Sequence, residues 1–203
     1  MLNLLFSSPF SFIILAASLV IAITIHEFAH ALAADKLGDP TPRSLGRLTL
    51  NPLAHLDPLG TLAILFVGFG WGKPVPFDPF NLRDRRRDGA IISLAGPLSN
   101  LALALIISLL IKFTPLIAFS AILIPLLMLN VSLAVFNLVP VYPLDGEKIL
   151  LGLLPADLAA NFAEIMQQYG TLILILLLFP FSGNSAISSI IEPLKTAIIN
   201  FLL

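Results

Sequence analysis

Residues 23–30, ITIHEFAH, decide how the rest of the chain is interpreted. They belong to an apolar run that extends from about Leu4 to Ala34, long enough to predict a transmembrane helix. The same run contains His26, Glu27 and His30. Ionisable side chains inside a membrane are energetically costly and usually functional. The stretch therefore predicts a functional site on a membrane-spanning helix.

The composition supports a membrane protein. Of 203 residues, 58% are hydrophobic and only 11% are charged, whereas soluble domains carry roughly 25% charged residues. The formal net charge of −1 offers no electrostatic basis for binding nucleic acid. The chain has no cysteine, which excludes disulfides, thiolate metal sites and thiol nucleophiles.

The apolar runs predict an all-α polytopic membrane protein with about five to six transmembrane segments. The run at 59–71 is too short to span comfortably, and 147–168 is predicted to be interfacial. The last run contains Glu192, Pro193 and Lys195, so a kinked span and an interfacial helix both stay open. We predict one domain, residues 1–203, with accessory C-terminal helices at 151–203. The runs are 4–34, 59–71, 89–113, 116–139, 169–181 and 186–203.

The basic residues predict an orientation. Eight of the eleven lie between the first and third runs: Lys36, Arg43, Arg47, Lys73, Arg83, Arg85, Arg86 and Arg87. The positive-inside bias places this region in the cytoplasm of a multi-pass protein of the plasma membrane. Residues 59–71 must then form a re-entrant segment that dips into the bilayer and returns, a short true span being the alternative.

The spacing H-E-x-x-H predicts a metal site. Residues four apart share one helix face, so the imidazoles of His26 and His30 can reach the same ion. Glu27 is then placed to take a proton from the attacking water. His26 lies roughly 13 Å of helix from the first exit charge, Asp35. This depth disfavours the alternative in which the three residues only cap a helix that leaves the bilayer.

A catalytic zinc site usually takes three protein ligands, so a third ligand is expected. The candidates are His55, Asp57, Asp78, Asp145 and a few exposed acids. If 59–71 is re-entrant, the fourth run returns to the cytoplasmic side and brings Asp145 to the level of the histidines. An active site that opens toward the cytoplasm follows.

The amide of Asn137 precedes the proline-interrupted stretch that leads to Asp145. It could donate to a substrate carbonyl or to a developing oxyanion. Helix capping or a hydrogen bond between helices is an equally good reading of this residue.

These residues resemble a known family. HEFAH, followed about 110 residues later by NLVPVYPLDG, is similar to the site-2 proteases, which are intramembrane zinc metalloproteases. GRLTLNPLAHLDPLGT, FGWGKPVPFDPFNLR and LAGPLSN look like the short bacterial-type branch without PDZ or CBS domains. The resemblance covers roughly residues 18–150, the predicted core.

The resemblance implies one Zn²⁺ per chain on His26, His30 and Asp145, with Glu27 as general base and then acid. Asn137 would contact the substrate. Expected substrates are transmembrane segments of membrane-anchored regulators, cleaved within the lipid bilayer in regulated intramembrane proteolysis. The region after the first span would present them as an added, β-like strand. A non-proteolytic protein that binds membrane clients and a proton or ion relay remain alternatives.

Four further features receive weaker interpretations. His55 is either a neighbour of the ligands or substrate, or an interfacial histidine beside Asp57. Asn51 has no assigned role. Trp71 is interpreted as an interface anchor, and Arg83 to Arg87 as contacts to lipid headgroups.

Overall fold

The computed structural model describes residues 2–67, 70–114, 119–181 and 184–203. Within these ranges the regular secondary structure is helical, apart from one pair of two-residue strands, β1 (Pro180–Phe181) and β2 (Asn184–Ser185). The helices are α1 (Leu2–Ser7), α2 (Pro9–Lys36), α3 (Thr41–Ser44), α4 (Pro58–Val67), α5 (Arg85–Phe113), α6 (Ser120–Asn137), α7 (Asp145–Leu153), α8 (Ala156–Leu178) and α9 (Ala186–Leu202).

Four described helices, α2, α5, α6 and α8, are long and apolar enough to cross a membrane. The predicted all-α membrane architecture is therefore confirmed, while the predicted count of five to six spans is supported for four. The difference lies in α4, which has 10 residues, and in α9, an amphipathic helix of 17 residues. The predicted start of the fourth run, Leu116, lies outside the described residues.

The sequence predicts an interfacial stretch at 147–168 and a separate apolar run at 169–181. Helix α8 crosses the predicted boundary between them. It continues unbroken from Ala156 through a polar half into the apolar half that ends at Leu178. No proline stands between these ends, and Gly170, at the change in polarity, is packed against Tyr142, so backbone hydrogen bonding continues through it. Residues 147–153, of which only Glu147 and Lys148 are charged, belong instead to α7.

Helix α5 is the centre of the molecule. It packs against α2, α6 and α7, while α9 packs mainly against α6. The main buried apolar cluster joins residues of α5, α6, α8 and α9, including Ile107, Leu127, Val131 and Leu174. Because α5 contacts both α2 and α7, it connects the two parts of the chain that carry the predicted metal ligands.

A buried carboxylate organises the chain that follows α2. Asp39 is fully buried and accepts hydrogen bonds from the backbone and hydroxyl of Thr41, the side chain of Asn81 and the backbone of Asp78. Burial alone would raise the pKa of Asp39, but these donors outweigh it and lower the pKa. The carboxylate therefore ties the end of α2 to the segment that precedes α5.

The chain folds back on itself around α4. Leu56 and Gly72 form an isolated antiparallel bridge, and the backbone N–H of Lys73 donates to the carbonyl of His55 at 2.8 Å. At this contact the backbones of Gly60 and Trp71 approach so closely that a Cβ atom on Gly60 would overlap the Trp71 carbonyl oxygen. Glycine is required here because of this close approach.

Arg86 holds α7 in place. Its guanidinium donates to the carbonyl of Leu151 at 2.9 Å and to that of Leu154, so it caps the C-terminal end of α7 from the start of α5. The guanidinium of Arg85 lies 4.2 Å from the ring centre of Phe80. Arg86 therefore binds carbonyl groups of the protein itself, which the sequence did not predict, while the headgroup contacts of Arg83 to Arg87 stay a prediction.

The Gly60→Ala substitution should destabilise the protein. The new Cβ overlaps the Trp71 carbonyl and forces the chain around α4 apart, so we expect the free energy of unfolding to fall by about 1–3 kcal/mol. Denaturation of the purified protein in mixed micelles, followed by circular dichroism, measures this change.

Gly89→Ala is the matched control. A Cβ on Gly89 would meet nothing closer than 4.0 Å, and Gly89 lies inside α5. This variant should be neutral or stabilising by up to about 1 kcal/mol. Equal loss of stability in both variants would contradict the close approach at Gly60.

Candidate metal centre

The two motif histidines lie on one face of an unbroken helix. Helix α2 runs over 28 residues, and His26 and His30 are both buried. Their ring centres are 4.6 Å apart and their planes lie at 88°. The helix therefore brings both Nε2 atoms to the same point, as the four-residue spacing predicts.

Helix α7 begins at this point. Its first residue, Asp145, places Oδ2 3.0 Å from Nε2 of His26 and 3.3 Å from Nε2 of His30. One ligand atom from each of the three residues lies within 4.8 Å of the other two. Two imidazole nitrogens and a carboxylate oxygen are donors that zinc binds in catalytic sites, with a fourth position left open. The residues present therefore fit a zinc ion.

Both imidazoles are oriented by a contact at Nδ1, the ring nitrogen that points away from Asp145. Nδ1 of His26 lies 2.7 Å from Oδ1 of Asn100, and Nδ1 of His30 lies 2.7 Å from the carbonyl oxygen of Ile92. Because both oxygens accept, each Nδ1 carries the proton, and each neutral ring presents the lone pair of Nε2 to the site. Both Nε2 lone pairs and the Asp145 carboxylate thus face one another, an arrangement that a cation stabilises.

Gly96 makes room for both rings. A Cβ atom at this position would lie 2.5 Å from Cε1 and Nε2 of His30 and 2.7 Å from Cε1 of His26. Real Cβ atoms do not approach other atoms this closely. The glycine of LAGPLSN therefore lets the imidazoles lie directly against the backbone of α5.

Close backbone packing and two imidazoles define the environment of Asp145. A Cβ atom on the next residue, Gly146, would overlap the carbonyl oxygens of Leu138 and Val139, so the start of α7 packs tightly against the end of α6. This packing fixes the Asp145 carboxylate beside the Nε2 atoms of both imidazoles.

Glu27 has one carboxylate oxygen engaged. The backbone N–H of Val75 donates to its Oε2 at 2.9 Å. Val75 belongs to the segment that follows the bridge at Gly72, so the fold-back around α4 brings a backbone donor to the glutamate. The other oxygen, Oε1, accepts no hydrogen bond from a described residue.

A cavity of about 1010 Å³ contains these groups. His26, Glu27, His30 and Asp145 line it together with Asn137. The remaining walls are largely apolar residues of α2, α6, α8, α9 and the segment 70–77, and the charged residues Lys148, Glu192 and Lys195 also line it. The side-chain amide of Asn137 donates to the carbonyl of Leu133 at 3.0 Å, which uses one of its two N–H groups. Such a cavity suits an apolar segment of a polypeptide.

The other candidates lie outside the ligand cluster. His55 is fully buried, and its Nε2 donates to the carbonyl of Thr49 at 2.8 Å. Its Nδ1 is buried without a hydrogen-bond partner among the described residues. Asn51 caps the 3₁₀ turn Pro52–Ala54 by accepting from Leu53. Trp71 is half exposed beside Gly60.

Sequence reasoning missed the partners that orient the ligands. Ile92, Gly96 and Asn100 all lie on α5, four residues apart, and Val75 follows the bridge. The segment LAGPLSN contributed to the family resemblance without a role for its residues. Asn100 could have been found as a polar residue inside a membrane-spanning helix, because such residues need a partner. The Ile92 carbonyl and the Val75 amide carry no sequence signal, since every residue has these groups.

Comparison with known proteins gives a consistent result. Residues 114–177 match the family model described as peptidase family M50. The chain is 40% identical over 176 residues to "Putative zinc metalloprotease YwhC" of Bacillus subtilis (strain 168), which covers 80% of this chain and 78% of the relative.

Two mycobacterial relatives are more distant. "Putative zinc metalloprotease Rip2" of Mycolicibacterium smegmatis is 34% identical over 181 residues, 82% of this chain and 67% of the relative. The protein of the same name from Mycobacterium tuberculosis (strain ATCC 25618 / H37Rv) is 31% identical over 184 residues, 83% of this chain and 68% of the relative. No solved structure matches the chain.

The Gly96→Ala substitution should weaken zinc binding. The new Cβ must displace both imidazoles, and zinc–ligand distances tolerate deviations of only about 0.2 Å. We expect the zinc affinity, measured by competition with a chromophoric chelator, to fall at least about tenfold. The control is Gly89→Ala in the same helix, which should bind zinc like the wild type. Unchanged affinity in Gly96→Ala would contradict the packing of the rings against α5.

Proposed function

The chain belongs to peptidase family M50, the site-2 proteases, and from this premise we propose that it is an intramembrane zinc endopeptidase. Its substrates are membrane-anchored proteins, and it cleaves a peptide bond within their transmembrane segments. The observation that carries the proposal is the convergence of His26, His30 and Asp145 beside Glu27, in a largely apolar cavity walled by membrane-spanning helices.

In this proposal the two Nε2 atoms and Oδ2 of Asp145 hold the zinc. Zinc bound there would polarise the scissile carbonyl and lower the pKa of the attacking water toward about 7. Glu27 takes the proton of that water and delivers it to the leaving amine nitrogen. The Val75 amide keeps Oε2 of Glu27 occupied, so Oε1 is the oxygen that accepts the proton.

Asn137 is proposed to contact the substrate. One N–H of its amide donates to Leu133, and the other N–H is left to donate into the cavity that Asn137 lines. A donor at this position stabilises the negative charge that develops on the scissile carbonyl oxygen. The substrate must be locally unwound, because a helical peptide bond already has its carbonyl engaged.

We further propose that the segment around α4 is re-entrant and lies beside the substrate. The bridge between Leu56 and Gly72 and the close approach of Gly60 to Trp71 support a segment that turns back. A substrate strand added at 73–76 would find hydrogen-bond acceptors only. The N–H groups of Lys73 and Val75 are already used, and Pro74 and Pro76 have none.

The active site is proposed to open toward the cytoplasm. Eight of the eleven basic residues lie within residues 36–87, from the last residue of α2 to the first turn of α5. The positive-inside bias assigns this end of both helices to the cytoplasmic side of the plasma membrane. The metal ligands lie nearer to this end of α2 than to its start.

The alternatives make different predictions. A non-proteolytic client-binding protein would bind zinc and membrane segments without cleaving them. A proton or ion relay would transport its ion in liposomes. The carboxylate of Glu27, adjacent to the ligands and with one free oxygen, favours a peptidase, since neither alternative needs a base at this position.

Substitution of the site residues tests the proposed reaction. Glu27→Gln removes the base and leaves the ligands, so it should retain zinc and lower kcat/KM for a model transmembrane substrate by about 10²–10⁴-fold. Asp145→Ala should lose both zinc and activity. Metal analysis and a gel-based cleavage assay in detergent measure the two properties.

Glu164→Gln serves as the control, because Glu164 is exposed on α8 and does not line the cavity. It should behave like the wild type. Cleavage by Glu27→Gln at the wild-type rate would refute the proposed role of the glutamate.

Cysteine labelling tests the orientation. The natural chain has no cysteine, so a maleimide reacts only with the single cysteine that is introduced. Leu53→Cys lies in the exposed part of the loop after α2, and Lys112→Cys lies at the opposite end of α5. A membrane-impermeant maleimide added to intact cells should label Lys112→Cys and spare Leu53→Cys until the membrane is permeabilised. The reverse pattern would refute the cytoplasmic opening.

A further inference from the structure

Two buried asparagines lie next to the candidate metal centre, on the Nδ1 side of His26. We propose that Asn100 and Asn130 are positioning residues that hold the proton of His26 on Nδ1 and thereby set the zinc affinity of the site. The inference rests on the proposed function, because it assumes that His26 binds zinc through Nε2. Both asparagines are fully buried, one on α5 and one on α6.

The two amides form one chain of hydrogen bonds that ends at His26. Nδ2 of Asn130 donates to the Leu126 carbonyl of its own helix at 2.8 Å. Oδ1 of Asn130 then accepts from Nδ2 of Asn100 at 2.7 Å, and Oδ1 of Asn100 faces Nδ1 of His26 at 2.7 Å. The chain connects α6, α5 and α2.

The orientation of each amide follows from its partners. A backbone carbonyl only accepts, so the atom of Asn130 beside the Leu126 carbonyl must be the NH₂ group. Nδ2 of Asn100 likewise lies 3.0 Å from the carbonyl of Ala22, and its second N–H meets Asn130. Both N–H groups of Asn100 are thus used, and its oxygen is directed at His26.

The direction of the Asn100 amide matters for metal binding. A flip would place NH₂ against Nδ1 of His26, and the ring would then carry its proton on Nε2, where the metal must bind. The tautomer of His30 does not depend on a side-chain amide. Its acceptor is the Ile92 backbone carbonyl, which cannot flip to present a donor. The two ligands are therefore oriented by different means, and only the side-chain amide needs a second residue to hold it.

A purely structural role is the competing explanation. Hydrogen bonds between helices contribute roughly 0.6–2 kcal/mol to the stability of membrane proteins. The asparagines would then stabilise the packing of three helices without affecting the imidazole. This role predicts a loss of stability that is independent of the position of the proton on His26.

Four variants separate the two roles. Asn100→Leu removes the acceptor of His26. Asn130→Leu keeps that acceptor and removes one of the two groups that hold the Asn100 amide, the other being the Ala22 carbonyl. Asn100→Asp restores an acceptor for His26, and in its neutral form its O–H can donate to Asn130. Ser108→Ala is the control, because it removes another buried side chain-to-backbone hydrogen bond of α5, from Ser108 to the Leu202 carbonyl.

Zinc affinity is measured first, by competition with a chromophoric chelator. Asn100→Leu should bind zinc about 10–100-fold more weakly than the wild type, which is the usual effect of losing a partner of a metal-binding histidine. The zinc affinity of Asn130→Leu should lie between those of Asn100→Leu and the wild type. Asn100→Asp should bind zinc almost as tightly as the wild type. Ser108→Ala should be unchanged.

The second measurement is the histidine tautomer in the metal-free protein. The chain has three histidines, so ¹⁵N spectra of histidine-labelled protein in detergent resolve each ring. In the wild type, His26 and His30 should both carry the proton on Nδ1. In Asn100→Leu the proton of His26 should move to Nε2 in part of the population, while His30 stays unchanged as an internal reference.

The outcomes are distinct. Wild-type zinc affinity in Asn100→Leu, or an unchanged tautomer of His26, would overturn the inference. So would equal losses of affinity in Asn100→Leu and Asn100→Asp, because only Asn100→Asp keeps an acceptor for Nδ1 of His26. If Asn100→Leu does not fold, Asn130→Leu and Asn100→Asp carry the same test. Failure of the wild type to bind zinc would refute the proposed function instead.

Discussion

The contact between the Asp145 carboxylate and the imidazoles of His26 and His30 is the constraint on which the rest of the structure depends. These groups come from parts of the chain that are 119 residues apart, and they place an anion and two lone pairs at one point between apolar helices. Such a grouping is unfavourable in a medium of low dielectric constant unless a cation balances it. The packing of α5 against α2 and α7 holds these three side chains in contact.

Helix α5 provides most of that support. Successive turns present the Ile92 carbonyl to His30, the bare backbone of Gly96 to both rings, and the amide of Asn100 to His26. At its N-terminal end Arg86 caps α7, the helix that begins with Asp145. One helix therefore supports candidate metal ligands from both halves of the chain, and it packs against α2, α6 and α7.

The segment that follows α4 connects the metal centre to the surface. It returns beside Gly60, pairs with His55 and ends by donating the Val75 amide to Glu27. The glutamate is thus held by backbone from outside the helix that carries it. This arrangement makes the position of the Glu27 carboxylate depend on the fold-back around α4. Because Pro74 and Pro76 have no N–H and the Val75 N–H is used by Glu27, no backbone N–H of residues 74–76 remains free.

Local patterns in the sequence determined the membrane class, the helical architecture, and the common face of His26 and His30 beside Glu27. These properties depend on hydropathy and on the 3.6-residue period, both of which are visible within one helix. The predicted topology, with 59–71 re-entrant, indicated Asp145 as the third member of the site, and the family resemblance indicated the same residue because the motif around it is specific.

The sequence did not determine the length of α8, the internal role of Arg86 or the groups that orient the ligands. Helix α8 joins a polar and an apolar half that composition alone divides, since no proline interrupts its backbone hydrogen bonds and they continue through Gly170. The Ile92 carbonyl, the space at Gly96 and the amides of Asn100 and Asn130 act only through contacts between helices. Only the tertiary structure decided these contacts, because they depend on how whole helices pack and not on the residues next to them in the chain.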